Sequence, residues 1–166
     1  MLEPARRRTW ALAGKGWVQK TWARRGRLSA ISGITVSPVR RRLGLYFKIH
    51  RQNILWPQAL EFITLVHRAL QRKLILVLDR YNVHRKAVRV LLEKHPGWFE
   101  PEWLPAHAPE LNPDEGVWRH GKYEDLGNFI PDDLDHLERE LVVALEGQGK
   151  RQELLTSYFR RPRLDL

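Results

Sequence analysis

The chain contains no cysteine among its 166 residues. Disulfides and thiolate metal sites are therefore excluded, and a reducing compartment is expected. No apolar run approaches the roughly 18 residues that a membrane span requires. Arginines stand near the N-terminus, but no apolar segment follows them, so a secretory leader is not expected. Negative charge is scarce in the first half: between Met1 and Asp79 the only carboxylates are Glu3 and Glu61. Any chemistry that needs clustered acids must draw on Asp79 and the residues beyond it.

Apolar residues are 43% of the chain, enough for one domain with its own core and too many for a disordered tail. The net charge is +10, which points to a polyanionic partner. Thirteen Lys or Arg precede residue 52, against one acid, Glu3. Trp10, Trp17, Trp22 and Tyr46 are interleaved with these cations. Aromatic faces stack on bases and cations neutralise phosphates, so Arg24, Arg25, Arg40, Arg41, Arg42 and Lys48 are candidate nucleic-acid contacts. The same residues also fit a solvated basic face over tryptophans that serve the core.

Residues 1–26 have glycines among basic residues and no clean period, which reads as an irregular arm or a ragged hairpin. Arg27 to Val36 and Leu43 to His50 read as two strands of an antiparallel hairpin, turning at Ser37-Pro38. Trp56, Leu60, Ile63, Val66 and Leu70 fall at helical spacing, with Pro57 in the first turn. Leu74 to Leu78 is a continuous apolar run, expected of a strand covered on both faces. A helix over His84 to Lys94 stops at Pro96-Gly97, and Trp98 to Leu104 reads as another strand. Asn112 is a candidate cap for a helix that starts at Pro113 and runs to about Asp125. A further helix opens at Pro131-Asp132-Asp133 and is expected to end at Gly147 and Gly149. A last helix covers about Arg151 to Arg160. Helices alternating with strands imply one α/β domain with a mixed sheet.

Asp79 follows a buried strand, where ligands of open α/β sheets commonly bind. Glu115 stands in a first helical turn beside Asp114, and the intervening 35 residues suffice to fold it back onto Asp79. Two hard carboxylates suit Mg²⁺ or Mn²⁺, and such sites attack phosphodiesters in line. The plainer reading makes Asp79 a turn former and Glu115 a partner of the helix dipole.

Two segments decide between these readings. Asp79-Arg80-Tyr81-Asn82-Val83-His84 is followed, at suitable spacing, by Leu104-Pro105-Ala106-His107-Ala108-Pro109-Glu110-Leu111-Asn112-Pro113-Asp114-Glu115-Gly116-Val117-Trp118. Together they resemble the bacterial insertion-sequence transposases of the IS630 group in the Tc1/mariner superfamily. The likeness extends to Arg8-Thr9-Trp10, Ile31 to Phe47 and Lys122 through Phe159. It implies a ribonuclease-H-like mixed sheet flanked by helices. It also implies a DDE endonuclease that cleaves and transfers DNA strands during transposition, with Mg²⁺ or Mn²⁺. The partners implied are double-stranded DNA, at transposon ends and target, and a homo-oligomer or a hetero-oligomer with intact transposase. The location implied is the bacterial cytoplasm at the nucleoid.

Carried over by position, Asp79 matches the second acid and Glu115 the third. His84 matches the motif histidine, which positions DNA or the aspartate. Asn112 and Pro113 shape the turn, and Trp118 packs the helix. Asp114 replaces a usually apolar residue, and His107 stands where tyrosine is usual. The family's first aspartate ends a strand whose counterpart would precede Met1, and Glu3 is wrongly placed to replace it. The chain, read as one partial DDE domain over 1–166, is thus expected to lack the first strand, the first catalytic aspartate and the N-terminal helix-turn-helix domain. Catalysis by the chain alone is expected to be impaired, with the metal weakly bound. The competing expectations are a non-catalytic basic DNA-binding remnant and a basic RNA-associated protein.

Overall fold

The computed structural model describes residue 13 and residues 26–160. Nearly all of the expected arm, including Trp10, Trp17, Trp22, Arg24 and Arg25, lies outside the described residues.

The hairpin forms as the alternation predicts. β1 (Ser29–Val36) pairs antiparallel with β2 (Leu43–His50), in a register running from Ser29 opposite His50 to Val36 opposite Leu43. Ser37 closes the turn: its N–H donates to Arg42 O at 2.9 Å, and its carbonyl accepts from Arg41 N at 2.9 Å. The outer edge of β2 is closed at its first residue by a side chain. The Gln152 amide accepts from Leu43 N at 2.9 Å and donates to Leu43 O at 2.7 Å.

α1 (Trp56–Leu70) carries Pro57 in its first turn, where a missing N–H costs nothing. β3 (Leu74–Leu78) and β4 (Phe99–Trp103) pair in parallel, joined by α2 (Asn82–Lys94) as the crossover that parallel strands require. Gly97, at φ +96°, makes the turn after α2. Ile63, Leu91 and Phe99 form a small core here, with Leu60, Leu74, Leu76 and Trp98 packed around it. α1 reaches both strand pairs, because Phe62 also lies against Gly33 of β1, 3.6 Å from where a Cβ there would stand.

After β4, α3 (Asp114–His120) leads into a wider π-helical turn, Gly121–Asp125, so the single helix expected to Asp125 changes its pitch at Gly121. α4 (Leu134–Lys150) and α5 (Gln152–Arg160) complete the described chain. Asp133 caps α4 by accepting from His136 N at 2.7 Å. α4 does not end at Gly147 and Gly149. A Cβ on Gly149 would stand 3.4 Å from Leu45 Cβ, so that glycine is where the helix closes on β2. Packing outweighs the roughly 1 kcal/mol that a helical glycine costs. The larger core gathers here: Leu43, Val117, Leu126, Leu141, Leu145, Leu155, Tyr158 and Phe159.

The α/β class holds. Among the described residues, however, the sheet is in two pieces, β1–β2 and β3–β4, with no described strand joining them. The expectation that β3 is covered on both faces is overturned. Ile75 and Val77 are 71% and 57% exposed, because no described element packs on that face.

Candidate nucleic-acid-processing site

Asp79 is the first residue beyond β3. Its Oδ1 accepts from Tyr81 N at 3.0 Å and stands 2.6 Å from His84 Nδ1. The Asp-to-His spacing thus places the imidazole in the first turn of α2, facing back onto the carboxylate. Two bonds tie this strand end to the one beside it. Leu104 N donates to Leu78 O at 2.8 Å, and Arg80 Nε to Leu104 O at 3.1 Å.

From Leu104 the chain runs through His107, which holds a left-handed φ of 58°, and a 3₁₀ turn at Pro109–Leu111. Asn112 then does what its position predicts, its Oδ1 accepting from Asp114 N at 3.1 Å. Helical geometry begins at Asp114, one residue later than expected, and Pro113 leads into it. Glu115 projects exposed from the first turn.

Asp114 points the other way. Its Oδ2 accepts from Ser32 Oγ at 2.6 Å and Trp118 Nε1 at 3.1 Å, which fastens α3 to β1. Its Oδ1 is sealed from solvent and has no partner. Burial raises its pKa to about 6, against the pull of the Ser32 and Trp118 bonds; neighbouring Glu115 raises it further and His84 lowers it. Asp114 therefore lies within electrostatic reach of both Glu115 and His84, and His84 touches Asp79. Trp118 both packs α3 and supplies a donor.

Among the described residues, no three His, Asp or Glu side chains come together closely enough to hold a cation. A divalent metal needs more oxygen ligands than an isolated pair supplies. The described residues fit such an ion only in part.

The basic candidates divide. Arg40, Arg41 and Arg42 lie exposed on the β1–β2 turn. Lys48 is paired with Glu61 and is not an open phosphate contact. Sequence reasoning passed over three side chains beside Glu115. Arg119, Lys122 and Tyr123 line, with Glu115, a groove of about 770 Å³ between α3 and the start of β1. Their spacing of four, seven and eight residues from Glu115 was the available signal. Behind them, Gln148 is fully buried, donates to Asp125 Oδ2 at 2.7 Å and accepts from the Tyr158 hydroxyl at 2.8 Å.

Among the described residues, no helix is long and apolar enough to cross a membrane. No curated protein matches the chain. The fold is shared with a chain in the crystal structure of the Mos1 strand transfer complex, at a TM-score of 0.63 and 17% identity. That match covers 97% of this chain but 48% of the other, so the chain spans about half the length of its structural relative. The fold is thus ribonuclease-H-like. A family model described as DDE superfamily endonuclease matches residues 1–138. Most of the chain is covered, including Asp79 and Glu115: the chain belongs to the DDE superfamily of endonucleases.

Proposed function

We propose that this chain is the catalytic domain of an insertion-sequence transposase of the IS630 group, acting on double-stranded DNA at transposon ends and target. Asp79 and Glu115 are the two carboxylates it directs toward Mg²⁺ or Mn²⁺. The observation that carries this reading is the common neighbourhood of the β3 end and the α3 start. Asp79 meets His84 at 2.6 Å, and Asp114 feels both His84 and Glu115. His84 orients Asp79, while Asp114, through Ser32, holds the turn that presents Glu115. The exposed Arg40–Arg42 turn supplies phosphate contacts.

Two carboxylates hold a divalent cation weakly, so the chain by itself cleaves slowly. Efficient cleavage requires a further acid, supplied by additional chain or by an intact transposase in a hetero-oligomer. A supercoiled plasmid with Mn²⁺ tests this reading. Slow nicking is expected, reduced at least roughly tenfold by either Asp79→Asn or Glu115→Gln. Nicking that survives both substitutions would overturn the assignment. The second reading, a DNA-binding remnant without catalysis, is favoured in that no third His, Asp or Glu joins such a pair among the described residues. It predicts no nicking at any Mn²⁺ concentration, alongside duplex binding that weakens steeply with salt.

A further inference from the structure

The uncovered face of β3–β4 is an apolar strip with an acidic border. The register sets Glu100 beside Ile75 and Glu102 beside Val77, so these four side chains share one side of the parallel pair. All four are exposed. Alternate residues of a strand stand about 7 Å apart, so the two carboxylates form a short row alongside the apolar one. Lys73 reaches Glu100 at 3.2 Å, between side chains that both meet solvent. Glu102 has no cationic partner among the described residues. An open apolar patch with a charged rim marks a docking site. In a protein of net charge +10, an acidic rim selects a basic occupant.

The matching chemistry lies on the β1–β2 turn. Val36 and Val39 are 42% and 82% exposed, and Arg40 and Arg42 follow them, also exposed. The two Ser37 backbone bonds hold this turn in one form. Among the described residues, the guanidinium groups of Arg40 and Arg42 meet no carboxylate, whereas that of Arg51 meets Asp135 and Glu138. The molecule thus shows two open patches of complementary character. Two valines with two arginines stand on the turn, and Ile75 and Val77 with two glutamates stand on the sheet. Within one chain these arginines do not reach Glu100 or Glu102. Two copies that exchange turns satisfy both patches at once and close as a pair.

We infer that the β3–β4 face docks the β1–β2 turn of a second copy of this chain. Val39 lies against Ile75 and Val77, and Arg40 and Arg42 meet the row of Glu100 and Glu102. Contacts this small belong to the weak, transient class, so dilute chains stay single. The docking itself stands apart from any reading of function. Its consequence rests on the DNA-processing reading: the arginines proposed for phosphate contact are occupied in the pair, so duplex DNA and the second copy compete for one turn.

Sedimentation velocity over a concentration series at low salt tests it. The wild type is expected to pass from single chains to pairs as concentration rises, and to pair less in high salt. Arg40→Glu with Arg42→Glu, and separately Ile75→Lys with Glu102→Lys, should each weaken pairing at least about tenfold. An equimolar mixture of these two variants should pair again. One of its contacts is native, and the other sets the glutamates of the turn against the lysines of the face. Unfolding of either variant would give no such rescue. A wild type that stays single at every concentration, a variant that pairs like the wild type, or a mixture that stays single overturns the docking. Added blunt duplex should return the wild type to single, DNA-bound chains. Duplex bound by intact pairs overturns the phosphate role of Arg40 and Arg42 and leaves the docking standing. Absence of duplex binding overturns the DNA reading alone.

Discussion

The two strand pairs are built to different thicknesses. β1–β2 is backed by α3, α4 and α5, and eight buried side chains meet behind it. β3–β4 rests on α1 and α2 over three, and turns Ile75 and Val77 outward. The candidate acids are shared between them: Asp79 leaves the thin half, while Glu115 stands on a helix whose Val117 belongs to the thick one. The site therefore sits at a seam. Its geometry depends on what holds the halves together, namely α1, whose Phe62 lies against Gly33 of β1, more than on either core.

The contrast can be broken most forcefully in the thick half. Leu145 is fully buried, and Leu145→Ala should cost about 3 kcal/mol by chemical denaturation. A cost below about 1 kcal/mol would show that the larger core is not the main source of stability.

Asp114 sharpens the comparison through pH. Its folded pKa of about 6 lies above the ordinary value of 3.8, so the folded state holds that proton more tightly. Its contribution to stability is full below about pH 4, falls as pH rises toward 6, and is lost above that. The loss is on the order of 3 kcal/mol. In EDTA, Asp114→Asn should remove this fall while leaving the bond from Trp118 an acceptor. Identical pH profiles for variant and wild type would mean that the carboxyl is hydrated.

The smallest effect is expected on the thin half. Ile75→Thr should change stability by no more than about 0.5 kcal/mol, because that side chain already meets solvent. A loss above about 1.5 kcal/mol would reveal a partner covering β3.

Much of the fold was legible because the local signals were physical ones. The hairpin alternation, the helical spacing of Trp56 to Leu70 and the Pro96-Gly97 stop all correspond to what forms. Asn112 bonds to Asp114 N because an Asx side chain two residues before an N–H can reach it. The failures share a cause, which is that tertiary contacts are invisible to a local pattern. An apolar run such as Leu74–Leu78 says what a strand would like to bury, not whether anything lies there. Gly147 and Gly149 looked like helix ends, but Gly149 marks a close approach to Leu45. In the site, the Asp79–His84 contact was legible only through the likeness of that segment to the family's motif. The inward aim of Asp114 was not, because it depends on Ser32, 82 residues away. Arg119, Lys122 and Tyr123 were readable from spacing alone and were eclipsed by the more familiar motif ahead of them.

The Gln152 amide on Leu43 has a consequence for how this molecule could grow. By offering one donor and one acceptor to a single backbone position, it imitates the next rung of a ladder and then ends it. Strand addition is thereby discouraged at the outer margin of β2. Among the described residues, β1, β3 and β4 each keep one edge without a strand partner, so an incoming extended segment would find its vacancies there rather than beside Leu43.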